Sequence, residues 1–124
     1  PAATKRPEHT IQRFTAVETL MKPAKDSLSE NLNSIRFRDL DVPLINNVDA
    51  LPITKAMEVK SSLIRQVTEA VQWNASVRKL GCLGVVSATE IGPGKVLKGL
   101  IRRIDRRIQV CSIGTISQVE QQYV

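Results

Sequence analysis

Apolar positions first recur at helical spacing. Leu20, Ala24, Leu28, Leu32 and Ile35 fall four or three residues apart and predict a helix from Thr19. Pro23 would lie near its start, where a missing N–H costs little. The run 42–48 (VPLINNV) then reads as a short strand, with Pro43 in its first residues or on an edge. Asn46, Asn47 and Asp49 supply turn chemistry. Residues 51–54 read as a connector, and Thr54 is a candidate cap for the next helix. That helix is predicted over 56–70, with Met57, Leu63, Ile64 and Val67 inward. A shorter helix follows over 73–80, with Trp73, Val77 and Leu80 on one side. The stretch 84–91 (GVVSATEI) predicts a buried strand, which Gly92-Pro93-Gly94 ends sharply. Val96, Leu97, Leu100, Ile101 and Ile104 share one face of a helix over 95–104, and 107–113 alternates as a strand.

The ends are polar. Residues 1–16 carry two prolines and read as an irregular polar arm or a partly helical lead-in. Residues 17–116 form the body, and 117–124 a polar tail, frayed or weakly helical. Helices alternating with strands predict an α/β fold, a short, mostly parallel sheet flanked by helices. Three strands make a thin sheet, and those at 84–91 and 108–113 look buried on both faces. They ask for neighbours.

Charge sharpens one of these elements. The 124 residues carry a formal +6, and 95–107 alone contribute +5: six Lys/Arg against Asp105. Lys98, Arg102 and Arg106 lie on the polar face of the predicted helix, with Arg103 beside them. Such a face is solvated, or it docks an acidic partner or an anionic ligand. Nucleic acid is argued against by the scarcity of stacking aromatics: Phe14, Phe37, Trp73 and Tyr123 are the whole set.

The chemistry the chain can hold is narrow. One histidine, His9, and two cysteines exclude an ordinary zinc site, and no metal is expected. Cys82 and Cys111 sit in apolar runs and are expected as buried, reduced thiols, which suits a reducing compartment. No apolar run approaches the roughly 20 residues of a membrane span, and no signal-peptide pattern is seen, so a cytoplasmic, matrix or stromal location is expected. A serine hydrolase or acyltransferase needs GxSxG, which is absent; Ser87, Ser112 and Ser117 lie in strand or tail contexts. The Gly92-Pro93-Gly94-Lys95 junction reads either as a tight structural turn or as a phosphate cradle at a helix N-terminus. It matches neither a Walker loop nor GxGxxG.

Several segments in order carry a resemblance. They are LMKPA at 20–24, RFRD at 36–39, VPLINNV at 42–48, LIRQV at 63–67, VQW at 71–73 and EIGPGKVL at 90–97. Over about residues 20–115 the chain resembles the C-terminal part of malonyl-CoA:acyl carrier protein transacylases. The resemblance implies a partial hydrolase-like α/β subdomain and a role in fatty-acid synthesis. In that family a serine takes malonyl from coenzyme A and passes it to the pantetheine thiol of acyl carrier protein, with a histidine as base. No cofactor beyond these substrates is implied. Counting back from Leu20, the family's histidine position falls at Val17, or at Thr15 if a two-residue slip uses Phe14; neither is histidine. Gln66 matches the glutamine whose main-chain carbonyl steadies that histidine. Gly92, Gly94 and Val96 fall on the wall of the acyl pocket, and Asn46 and Asn47 at a strand end near it. Lys98, Arg102, Arg103 and Arg106 would dock acyl carrier protein. The family's nucleophile, its malonyl-binding arginine and its small subdomain would lie upstream of Pro1, and the chain would be part of a longer or split enzyme, or a degenerate relative. By itself the chain is expected to be inactive. The alternative is a non-catalytic interaction subunit on the same scaffold.

Overall fold

The computed structural model describes the backbone of residues 8–123 and the side chains of 19–122. The described chain divides into two compact units, residues 1–72 and 73–124.

The first unit opens with α1 (Glu8–Ser34). It takes up the second half of the expected polar arm, so Pro23 lies inside the helix rather than at its first turn. There it removes one donor from the hydrogen-bond ladder. The predicted apolar face is only partly used. Leu32 is buried and Leu28 half-buried, but Leu20 is 78% and Ile35 54% exposed.

The predicted strand at 42–48 shrinks to β1 (Leu44–Ile45), which pairs antiparallel with β2 (Pro52–Ile53). The expected connector is therefore the second arm of a hairpin, and Pro52 is tolerated because the ladder is only two residues long. Its loop is fixed by Asn46, 6% exposed. Asn46 Oδ1 accepts the Asp49 N–H at 2.7 Å, and its carbonyl accepts the Ala50 N–H at 3.1 Å. Ala50 is buried at φ +55°, left-handed backbone that alanine adopts only under constraint.

Helix α2 (Ala56–Arg65) ends five residues short of the predicted 70, because Thr68 and Glu69 turn back onto the Arg65 carbonyl. Val59 and Ser62 are its buried residues. Met57, expected inward, is 76% exposed. Thr54 does not cap it. Instead the Ala56 N–H donates to Asp39 Oδ1 at 2.9 Å, and Lys55 Nζ lies 2.8 Å from Asp39 Oδ2.

The second unit is built on β3 (Ser87–Ile91) and β4 (Gln109–Ile113), paired in parallel with Ala88 opposite Val110 and Glu90 opposite Ser112. Helices α3 (Trp73–Cys82) and α4 (Val96–Ile104) supply the core. Val77, Ile101 and Ile108 are its buried centre, with Trp73, Leu80, Ala88, Ile104 and Val110 around them. The strands are not buried on both faces as expected: Ala88 and Val110 are half-buried, while Ser87, Thr89, Gln109 and Cys111 are exposed. Alternation along two strands covers one face only.

Cys82 and Cys111 are accordingly both exposed, which corrects the expectation of buried thiols. Cys111 Sγ lies 3.1 Å from Gln122 Oε1. Helix α3 closes with a left-handed glycine, Gly84 at φ +81°. The Val85 N–H returns to the Leu80 carbonyl at 3.1 Å and the Gly84 N–H to Gly81 at 3.1 Å, a Schellman motif. The polar tail is a helix, α5 (Ile116–Tyr123). Thr115 and Gln118 form a capping box: Gln118 Oε1 accepts the Thr115 N–H at 3.2 Å, and the Gln118 N–H approaches Thr115 Oγ1 at 3.4 Å.

Candidate functional site

In the first unit, the elements around Gln66 are held by one arginine. Arg65 ends α2, and its guanidinium forms two forks. One fork meets Asp49 in the hairpin loop, with both contacts at 2.9 Å. The other meets Glu69 at 2.9 and 3.0 Å. Glu69 and Asp49 together raise the pKa of Arg65 above its ordinary value, and Arg65 in turn lowers that of Asp49. Gln66 is the C-cap of α2, so its carbonyl is one of those a helix end leaves without an intrahelical partner. Its side chain accepts from Asn47 Nδ2 at 3.4 Å, and the Asn47 carbonyl accepts the Gln72 N–H at 2.7 Å. The structure thus brings the side chains of Gln66 and Asn47 together. The side chain of Val17 lies outside the described residues.

In the second unit, Gly92, Gly94 and Val96 form the junction between β3 and α4. Gly92 and Gly94 have φ of +133° and +96°, so both need the freedom of glycine. The Gly92 N–H donates to the Ile113 carbonyl at 2.9 Å, tying the turn to the end of β4. Gly114 lies against it, since a Cβ there would stand 3.0 Å from the Gly92 oxygen. Val96, 70% exposed, and Leu97 stand at the start of α4 rather than in the core, contrary to the predicted apolar face.

The cradle at that helix N-terminus already holds an anion. Glu90, on β3, accepts the Leu97 N–H at 2.9 Å and the Lys98 N–H at 3.1 Å. Ser112 Oγ donates to the same carboxylate at 3.0 Å. Partial desolvation raises the pKa of Glu90, but these three hydrogen bonds outweigh it and hold the group below its usual range. The Gly-Pro-Gly turn is therefore a structural junction capped by the chain's own carboxylate, the turn reading of the sequence.

The basic helix gathers its cations along a groove. Lys98, Arg102 and Arg106 line a cavity of about 380 Å³ together with Ile108, Gln109 and Val110 of the following segment. Arg103 is exposed and does not line it. The single acid of this segment faces elsewhere. Asp105 accepts from Arg107 Nε at 3.0 Å and NH2 at 2.7 Å, and its side chain is 10% exposed. Arg107 holds its pKa down at about 2. Among the described residues no group of His, Cys, Asp and Glu is placed to hold a metal ion.

Two residues of this arrangement escaped the sequence reading. Arg65 sits inside the LIRQV segment, and its partner Asp49 is sixteen residues away, so only the fold shows the pairing. Glu90 was visible as an acid two residues before a Gly-Pro-Gly turn, the reach of a helix N-terminus.

No family model matches the chain. Comparison with known proteins defines it first as an α/β protein with the fold of acyl carrier protein malonyltransferases. An acyl carrier protein S-malonyltransferase from Vibrio cholerae superposes with a TM-score of 0.75 at 35% identity, covering 85% of this chain and 34% of the other. The malonyl-CoA:ACP transacylase of Synechocystis sp. PCC 6803 gives 0.78 at 31% identity, covering 85% of this chain and 36% of the other. More narrowly, the chain is homologous to the C-terminal part of malonyl CoA-acyl carrier protein transacylases. It is 40% identical over 101 residues to that of Bacillus subtilis, which covers 82% of this chain and 32% of the relative. To that of Escherichia coli K12 it is 45% identical over 85 residues, 68% of this chain and 28% of the relative. The chain thus spans about a third of the length of the relatives it matches. A further neighbour is a type II polyketide synthase acyl-carrier protein in complex with its malonyl-transacylase; the match has a TM-score of 0.73 at 34% identity and covers 82% of this chain and 33% of the other. No described helix is long and apolar enough to cross a membrane.

Proposed function

We propose that this chain is the supporting wall of a malonyl-transferring site, whose nucleophile comes from the part of the relatives that this chain does not match. The observation that carries this reading is the 40% identity to the Bacillus subtilis transacylase over a third of that enzyme, in a chain without GxSxG. In the first unit, the resemblance gives the Gln66 C-cap carbonyl the role of steadying the base, on a helix end braced by the Arg65 forks. In the second unit, taken by itself, the resemblance gives Gly92, Gly94 and Val96 the role of acyl-pocket wall. Lys98, Arg102, Arg103 and Arg106 dock the acidic carrier protein, whose approach the local +5 accelerates.

With Val17 at the base position and no serine elbow, the isolated chain lacks both groups that make and break the acyl bond. Loss of such a pair costs about a millionfold in rate. Malonyl transfer from malonyl-CoA to acyl carrier protein by the chain alone should therefore match a heat-denatured control. Mixing with the part of the Bacillus subtilis relative that this chain does not cover should restore turnover. Turnover by the chain alone, at rates above that control, would refute the reading of the chain as a wall.

A further inference from the structure

Arg65 makes more directed contacts than stability asks of a half-exposed side chain. Its guanidinium puts four N–H donors on two carboxylates from different segments. Nη1 and Nη2 meet Asp49 in the hairpin loop, both at 2.9 Å, while Nε and Nη2 meet Glu69 at 2.9 and 3.0 Å. The three side chains are between 35% and 42% exposed, and ion pairs so exposed add little to stability. Four bonds from one rigid plane do fix geometry.

Each fork ends on a fixed point. Asp49 is tied to Asn46, whose Oδ1 accepts its N–H at 2.7 Å and whose Nδ2 donates to its carboxylate at 3.2 Å. Asn46 is buried, and Ala50, next to Asp49, is buried in left-handed backbone that only its surroundings can hold. Glu69 is tied through its own N–H, which donates to the Arg65 carbonyl at 3.0 Å.

The same turn sorts the carbonyls at the end of α2. A helix end leaves its last carbonyls without intrahelical donors. Here the Thr68 and Glu69 N–H groups both go to the Arg65 carbonyl, at 3.1 and 3.0 Å, with Thr68 Oγ1 at 3.5 Å. Among the described residues no backbone N–H of this turn goes to the Gln66 carbonyl, which is left as a free acceptor beside the braced arginine. On its other side the Gln66 N–H is held by the Ser62 carbonyl at 3.0 Å.

We propose that Arg65 is a positioning residue for malonyl transfer: its two forks lock the end of α2 to the hairpin loop and so set the direction of the Gln66 carbonyl. This rests on the transacylase reading, which gives that carbonyl a histidine base to steady. An acceptor of fixed direction on one ring nitrogen decides the tautomer and the ring orientation, and leaves the other nitrogen to take the serine proton. Arg65 itself touches neither substrate nor base.

The test mixes the whole chain with the part of the Bacillus subtilis relative that it does not cover, and follows malonyl transfer to acyl carrier protein. Arg65→Met should lower kcat about tenfold to a hundredfold, with KM for malonyl-CoA within about twofold of wild type. Arg65→Lys keeps the charge without the forks and should not restore kcat. Lys55→Met breaks the exposed ion pair at the other end of α2 and should leave both constants unchanged. In the chain alone, the carbonyl-carbon chemical shift of Gln66 should move in Arg65→Met and stay in Lys55→Met. An unchanged kcat in Arg65→Met overturns the positioning role, and so does an unmoved Gln66 shift. Full activity in Arg65→Lys overturns the forks, because charge alone then suffices. Equal losses in Arg65→Met and Lys55→Met would be general loosening, and overturn the role too. Should Arg65→Met fail to fold, Arg65→Lys carries the same comparison of kcat and Gln66 shift. If the wild-type mixture transfers no malonyl, the transacylase reading falls and the role of Arg65 with it, even where the Gln66 shift moves. If wild type and Arg65→Met transfer equally well, only the role of Arg65 falls.

Discussion

At the scale of single residues, Asp105 shows how charge is spent on structure. Its carboxylate takes two donors from the Arg107 side chain and the Arg107 N–H at 3.0 Å. These lower its pKa from 3.8 to about 2. A group with a depressed folded pKa contributes stability above its unfolded value and loses it as pH falls through the folded one. The thermal midpoint of the wild type should therefore exceed that of Asp105→Asn at neutral pH. The gap should narrow between pH 3.8 and about 2, and it should be closed below that. A gap independent of pH across this window would mean that the ionised form adds nothing. Trp73 makes the opposite case. Its Nε1 is buried with no hydrogen-bond partner in the described structure, while its ring packs on the Val77 cluster. Removing an unmet donor recovers part of its desolvation cost, about 1–3 kcal/mol. Trp73→Phe should thus fall within about 1 kcal/mol of wild type. Val77→Ala, which empties space at a fully buried position, should cost about 2 kcal/mol by denaturant unfolding.

At the scale of elements, ends were harder to read than interiors. Helices α2, α3 and α4 were visible because their apolar spacing is regular, and α4 was found to within a residue. Strand β3 was visible as a run bounded by Gly-Pro-Gly, but its burial was misjudged because apolar content cannot say how many layers cover a strand. The hairpin was missed because a two-residue ladder has no periodicity, and its turn is fixed by Asn46 reaching Asp49 and by a left-handed Ala50. Of the candidate site, the glycine turn and the basic helix could be read directly. The sorting of Lys98, Arg102 and Arg106 from Arg103, and the withdrawal of Asp105, depend on packing and could not. Helix α5 answers to the weakly helical reading of the polar tail, and Thr115-Ile116-Ser117-Gln118 is a capping-box sequence that starts it. Thr115→Ala should cost about 1 kcal/mol of local stability, read as faster amide exchange in α5 with β4 unchanged. Equal exchange in α5 of both proteins would show that the box does not hold the helix.

At the scale of the whole molecule, much apolar surface is left open. Leu20, Val42, Met57, Ile91 and Ile116 are each more than 75% exposed, in both units. The single parallel pair, β3 with β4, has one face on helices and neither outer edge hydrogen-bonded to another strand among the described residues. Parallel sheets are normally covered on both faces and extended by neighbours, and an unpaired edge invites another chain. The relatives are about three times as long as the segment matched. A partner that binds only the folded form stabilises it by mass action, about 2.7 kcal/mol at a hundredfold excess over Kd. Adding the uncovered part of the Bacillus subtilis relative should raise the chain's thermal midpoint with partner concentration. It should also slow amide exchange in Ser87–Ile91 more than in α3, because the gain is a covered strand and not a general tightening. Uniform slowing across the second unit would place the contact away from the sheet. No change in either measure, at concentrations that restore malonyl transfer, would mean that the exposed side chains have no part in assembly.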